Sequence, residues 1–332
     1  MAIASRAIIR KKEEQNMIKY IIKRLLMAVI QIFVVATIVF LILQIMPGDP
    51  AALMLEANGT IPDEEVVFAL REKLGLNEPI SVQYKDWIMR LFTMDFGESY
   101  YYKQPVSRLL NQRFQNTLEL ALVAVVIASA LGIIVGIICS RNRGKMADKL
   151  FSGLTVLGVS IPSYVVGALL IMLFSLKLGI LPASGFTSFS RNPAAHIQSL
   201  ILPSFTLALG FAATVARITR SSMLEEINRE YVQTLRAKGL QERRIIYGHT
   251  LRNSLIPTVT VIGLQLSSLI GGMVVIENIF SWPGISTMLI TAVNHRDYRM
   301  LQGCIVVIAV TYITINLLVD LIYHWIDPRV RQ

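Results

Sequence analysis

Cysteine is nearly absent: Cys139 and Cys304 are the two in 332 residues, and each sits inside an apolar run. That excludes a disulfide framework and a thiolate zinc site, and leaves two small buried hydrophobes as the expectation. A phosphate loop is missing as well. The lone Gly144-Lys145 has no preceding glycine loop and no Ser or Thr after it, so the chain does not bind ATP in that manner. HExxH, GxSxG and CxxC do not occur, and the four histidines share no helical spacing. No catalytic, cofactor-binding or metal-binding residue is therefore expected. The 13 methionines are dispersed and read as apolar packing. Charge is scarce too, at 16% Asp, Glu, Lys and Arg, with a mean hydropathy of +0.56. The net charge of +10 is not gathered with aromatics on one soluble face, which argues against nucleic acid.

Long apolar runs are what the chain has in abundance. Residues 25–48, 120–140, 151–176, 199–216, 253–276 and 300–319 each lack Asp, Glu, Lys and Arg. About 20 helical residues cross the roughly 30 Å hydrocarbon core, so six transmembrane helices are expected. The alternating ten-residue segments of a β-barrel are absent. If the N-terminus is cytoplasmic, the inner segments carry 21 of the 32 Lys and Arg, which places both termini in the cytoplasm and the lipid bilayer around the chain. The first apolar run is too long for a cleavable signal and is retained as a helix. An ion-coupled secondary carrier is the alternative from another class, but such carriers place ionisable groups within spans, and these span interiors contain none.

The fold class expected is thus an all-α polytopic membrane protein. A cytoplasmic tail, 1–18, precedes transmembrane helix one, 19–48. A small external domain, 49–115, follows, and then a five-helix core, 116–332, interrupted by a cytoplasmic loop at 217–252. Apolar spacing predicts helices over Asp63 to Leu74 and Val82 to Leu91, with Trp87 and Phe96 as core anchors. Asn116 is a plausible N-cap for helix two. Pro162 falls near the middle of helix three, as a packed kink or a pathway-lining one. Helix four is expected from about Ile201-Leu202-Pro203 to Arg217. Gly271 and Gly272 permit close helix approach, and Trp282 suits the membrane interface. Burying Glu277 at the bilayer centre would cost on the order of 3 kcal/mol, so it belongs near the external end, as a cap or ion pair, or facing a pathway.

The loop is the most unusual stretch. Ser222-Met-Leu-Glu225 reads as a capping box opening a helix that reaches about Lys238 and stops at a left-handed Gly239. A second short helix would carry Glu242 to Ile246. Two short amphipathic helices with a glycine bend, held outside a membrane, suit docking to a soluble protein, although a solvated charged loop reads nearly as well.

Here the sequence resembles a known family. YVQTLRAKGL, Tyr231 to Leu240, followed by ERR and LRNSLIP, is similar to the coupling loop of binding-protein-dependent ABC importer permeases, in the dipeptide, oligopeptide and nickel branch. On the general signature (Glu-Ala-Ala, three residues, Gly, nine residues, Ile-x-Leu-Pro), Gly239 and Leu251 fit. Gln233, Thr234 and Leu235 replace the Glu-Ala-Ala, His249 the Ile, and Arg252 the Pro, much as the peptide branch itself departs. Other runs agree: Pro47-Gly-Asp-Pro50, Leu74-Gly-Leu76 with Pro79, Gln83-Tyr84 and Trp87, Asp95-Phe-Gly-Glu-Ser99, Gly271 to Gly284 (GGMVVIENIFSWPG), and Asp327-Pro-Arg329. Arg296-Asp297-Tyr298 matches an RDYP run except that Arg299 stands where the family has Pro.

The resemblance implies a permease in a bacterial or archaeal plasma membrane, alternating between outward and inward access. The implied partners are a second homologous permease, two ATPase subunits holding ATP and Mg, and an extracytoplasmic solute-binding protein. The implied cargo is a dipeptide or oligopeptide, with a nickel or metal chelate as the alternative. It puts Tyr231, Leu235, Ala237, Gly239 and Leu240 in an ATPase docking groove, with Arg243 and Arg244 at its rim. Pro162, Glu277, Trp282 and Pro283 become pathway or gate candidates.

Overall fold

The computed structural model describes residues 2–45, 48–57, 59 and 63–326, the side chains of 2–18, 57, 270 and 322–326 excepted. Pro47 and the Asp327-Pro-Arg329 run lie outside the described residues. The chain is helical: α1 (Ala2–Ile45), α2 (Pro50–Ala57), α3 (Glu64–Leu74), α4 (Ile80–Thr93), α5 (Val106–Arg141), α6 (Met146–Ser160), α7 (Ser163–Leu170), α8 (Pro193–Ile227), α9 (Glu230–Ala237), α10 (Glu242–Arg244), α11 (Leu251–Ile279), α12 (Ile285–Asn294) and α13 (Tyr298–Ile326). Among the described residues four helices are long and apolar enough to cross a membrane, and up to six spans result if each of two bent pairs counts as one. The chain is an all-α, multi-pass membrane protein.

One compact unit comprises residues 22–118 and 283–314. The expected helices over 63–74 and 82–91 are α3 and α4, and Trp87 and Phe96 are its core anchors. Their rings lie 6.3 Å apart, and the Trp87 indole N–H donates to the Ala36 carbonyl of α1 at 3.0 Å. That bond satisfies the one polar atom of a side chain otherwise buried among Val39, Leu110 and Met288. Asp297, fully buried, caps α13: its carboxylate accepts from the Met300 N–H, the Tyr101 N–H and the Ser99 hydroxyl at 3.2, 3.1 and 2.6 Å. Asn116 is not an N-cap. Helix α5 begins ten residues earlier, at Val106, and the Asn116 amide donates to the Pro283 carbonyl at 2.8 Å.

The second unit centres on residues 119–282, and α8 is its axis. Of its most apolar window 67% is buried, against 17–28% in the other three unbroken spans. Close approach of α5 to α8 comes from Gly132 and Gly136: a Cβ at either would stand 2.6 Å from Val215 Cβ or Thr219 Cβ. Gly271 and Gly272 bring no other helix of this chain close, since a Cβ at either meets nothing within 4 Å. Asp148 on α6 binds Arg220 on α8 through two hydrogen bonds of 2.7 and 2.9 Å.

Helix three is broken rather than kinked. α6 and the segment Ser163–Lys177 diverge by 108°, because Pro162 has no N–H to continue α6 and disfavours helical backbone at Ile161. Ile161 is extended there (ψ 125°), and Pro162 caps α7. Helix four also differs, beginning at Pro193 behind an Asn192 cap and running 35 residues with Pro203 inside it. Ser222 and Glu225 are therefore interior, not a capping box. Nothing breaks the helix before Asn228, so continued backbone bonding satisfies their amides, and the Ser221 hydroxyl turns to the Ile218 carbonyl at 3.0 Å.

Candidate coupling surface

Helix α8 at 35 residues is roughly 50 Å long, well beyond the hydrocarbon thickness. Its apolar run ends at Ala216, so the last eleven residues continue as a polar helical stalk. After a short turn at Asn228 and Arg229, α9 begins. Its end is a Schellman motif: Gly239 adopts φ +76°, its N–H donates to the Arg236 carbonyl at 2.9 Å, and the Leu240 N–H donates to the Leu235 carbonyl at 3.2 Å. The Arg236 guanidinium clamps the bend with two bonds to the Glu242 carboxylate, 3.1 and 2.7 Å, and that carboxylate pushes the Arg236 pKa up. The expected separate helix over 242–246 is instead the start of a continuous element. α10 passes through a wide turn, Ile245–Thr250, directly into α11.

The residues expected in the docking groove share α9 and its bend but not one environment. Ala237, Gly239, Arg243 and Arg244 are exposed, and Leu235 and Leu240 are half-buried. Tyr231 is also half-buried and is tied inward: its hydroxyl donates to Glu226 at 2.9 Å and accepts from the Asn253 amide at 3.3 Å. Burial, with the Glu226 carboxylate beside it, pushes the Tyr231 phenol above its ordinary value. The residue that anchors α9 is Val232, fully buried. Its apolar character beside Tyr231 and ahead of Leu235 was the available signal.

The pathway candidates divide. Pro162 belongs to the α6–α7 break. Glu277 and Trp282 are together at the end of α11, both fully buried, with the Trp282 N–H donating to the Glu277 carbonyl at 2.8 Å. Trp282 is enclosed by protein rather than exposed. Phe186 meets it edge-on at 4.9 Å, and the His196 ring lies 6.0 Å away. His196 was not singled out by sequence. It is held by the Thr187 carbonyl on Nδ1 and by Glu119 on Nε2, both at 2.8 Å. A carbonyl only accepts, so Nδ1 donates to Thr187 and Nε2 is left facing the Glu119 carboxylate. Pro283 presents its carbonyl to Asn116.

Residues 128–332 match the family described as the inner membrane component of binding-protein-dependent transport systems, and residues 17–121 match the N-terminal membrane component of the same systems. The chain is 38% identical to the glutathione transport system permease protein of Salmonella typhimurium, over 95% of this chain and 99% of that one. It is 37% identical to a protein of Sinorhizobium fredii named as a probable peptide ABC transporter permease, over 94% and 99%. Among solved structures, an inward-facing methionine ABC transporter aligns with a TM-score of 0.54 at 18% identity, covering 66% of this chain and 96% of that one. An amino acid ABC transporter aligns at 0.52 and 16%, covering 66% and 94%. These last two likenesses are of fold alone. With one family match spanning the loop, the long α8 and most of the second unit's bundle, and the other covering residues 17–121, the chain belongs to the binding-protein-dependent transport system inner membrane components, the permease subunits of ABC importers.

Proposed function

We propose that this permease carries di- or oligopeptides, pairs with a second homologous permease, and receives energy from two ATPase subunits through α9 and its bend. The observation that carries the coupling reading is continuity. α9 hangs from the polar stalk of α8, the most buried of the four unbroken spans, and its far side is clamped by Arg236–Glu242 to the element that becomes α11. A push on α9 is therefore delivered to two spans of the bundle at once, one on each side of the loop. Such a push shifts the access equilibrium only if the ATPases contact α9 differently in their two states. Arg243 and Arg244, exposed beside the bend, are the rim of that contact. Both termini and this loop are cytoplasmic, and a solute-binding protein delivers cargo on the opposite side. The peptide reading rests on the relatives described above, named as peptide or glutathione permeases, and is favoured over a nickel chelate on that ground.

Co-purification from native membranes tests this, followed by ATPase assays with short peptides and nickel chelates. The expected result is recovery with a second permease and two ATPases, peptide-stimulated hydrolysis, and loss of that stimulation on Gly239→Arg. A stable homo-oligomer with no ATPase attached would overturn it.

A further inference from the structure

A cavity of about 270 Å³ opens within the unit of residues 22–118 and 283–314, at the meeting of α1, α3, α4 and α13. Phe40, Trp87 and Phe96 give it an apolar lining. Two guanidinia face it, Arg90 from the last turn of α4 and Arg299 from the first turn of α13. Four arginines elsewhere are held by carboxylates: Arg71 by Asp49, Arg220 by Asp148, Arg229 by Glu226 and Arg236 by Glu242. Arg90 and Arg299 have no side-chain hydrogen bond or ion pair among the described residues.

Their placement is built rather than incidental. Arg299 lies across Gly97, where a Cβ would come within 2.9 Å of its terminal nitrogen and 3.1 Å of its Cδ, so the absence of a side chain at 97 makes its seat. The charges acting on Arg299 are those of Arg90, Asp297, Asp95 and Glu98. Asp297 is already engaged by Ser99, Tyr101 and Met300, and Asp95 by the Gly97 N–H at 2.9 Å. Asp95 and Glu98 offset part of the charge on Arg299, but Arg90 acts on it more strongly than either, and an anion between the two guanidinia relieves their repulsion through paired, charge-assisted bonds. The lining also holds Lys73, Asp95, Glu72, Glu78 and Asp86, and the last three have no ion-pair partner among the described residues. Glu72 sits in the last turn of α3, at the negative end of that helix. Cation and anion sites thus coexist in a space at the lower bound of small-molecule pockets, about 300 Å³.

We propose that this cavity binds a small zwitterion of amino-acid or dipeptide size, its carboxylate between Arg90 and Arg299 and its ammonium toward Glu72, Glu78 and Asp86. The site stands apart from the coupling loop and needs neither ATP nor a particular transported cargo.

The test is ligand-observed NMR titration of the full chain in nanodiscs, without nucleotide, using glycylglycine, N-acetylglycylglycine and glycylglycinamide as probes. The expected result is saturable glycylglycine binding, weakened at least tenfold by blocking either end of the probe. Arg299→Gln and Arg90→Gln should each weaken it to the same degree, with Arg299→Lys intermediate. Arg90 is exposed, so its variant reads the site even if Arg299→Gln lowers the thermal midpoint. Absence of saturable glycylglycine binding, equal affinity for the blocked probes, or unchanged affinity in Arg90→Gln would each overturn the proposal. Any of these leaves the permease reading intact.

Discussion

Gly132→Ala is the substitution whose cost follows most directly from the structure. Its Cβ would stand 2.6 Å from Val215 Cβ and 2.8 Å from the Ala212 carbonyl oxygen, where ordinary contact is 3.4–4 Å. One obstacle is backbone, so no rotamer change relieves the clash, and α5 must retreat from α8 by about 1 Å. A gap of that size forfeits a quarter to a half of the dispersion well at every neighbouring contact, and overpacking of this kind costs about 1–3 kcal/mol. The backbone oxygen places Gly132→Ala toward the upper half, ~2–3 kcal/mol. Gly136→Ala meets Thr219 Cβ at 2.6 Å and the Ala216 carbonyl at 2.9 Å, and the same retreat relieves both. The double variant should therefore cost clearly less than the sum of the singles, as coupled neighbours do. Gly271→Ala, with nothing within 4 Å, should stay within about 0.5 kcal/mol of the parent. Equilibrium unfolding of the detergent-solubilised chain measures all four. A Gly132→Ala change under ~0.5 kcal/mol, or a Gly271→Ala change as large as that of Gly132→Ala, would refute the reasoning.

Three further outcomes are expected. Gly239→Ala finds open space but keeps φ +76°, a left-handed conformation costing a side-chain-bearing residue about 1–2 kcal/mol. Hydrogen exchange at the Leu240 amide should rise roughly 5- to 30-fold, and less in Gly239→Asn. Asp297→Ala strands the Ser99 hydroxyl and two N–H donors in a fully buried site. Unfolding should show a loss of about 3 kcal/mol or more, with Asp297→Asn milder because one carbonyl oxygen remains. Glu119→Leu removes the Nε2 partner of His196 and should cost about 1–3 kcal/mol. Glu119→Gln should retain most of that stability, since its amide donates to a neutral Nε2; equal losses in the two variants would show that this bond does not hold the residue.

What the sequence shows well is whatever depends on local composition. Apolar runs without charge must bury their backbone in helices, so the all-α, multi-pass class follows from Leu, Val and Ile content alone. Gly239 was legible because the Arg236-Ala-Lys-Gly-Leu240 stretch meets a chain stop that only a residue without Cβ accepts cheaply. The misreadings share one cause: a local signal was read where a tertiary balance decides. Ser222 and Glu225 have capping chemistry, yet a helix already bonded from Pro193 leaves them no orphan amide to satisfy. Pro203 looked like a start, but it lies inside the most buried of the four unbroken spans, which tolerates it, whereas Pro162, with exposed neighbours on either side, breaks its span through 108°. Gly271-Gly272 drew notice by adjacency, while Gly132 and Gly136 were overlooked although their spacing of four places both on one face. Adjacent glycines point in different directions around a helix, and only the i, i+4 pair can admit a neighbouring backbone along its length. His196 and Glu119 lie 77 positions apart, and no periodicity spans that distance. Their meeting is decided by α5 and α8 packing side by side. Arg299 was legible as a departure from a family pattern, but its significance depends on Gly97, two hundred residues earlier, leaving the space that its side chain fills.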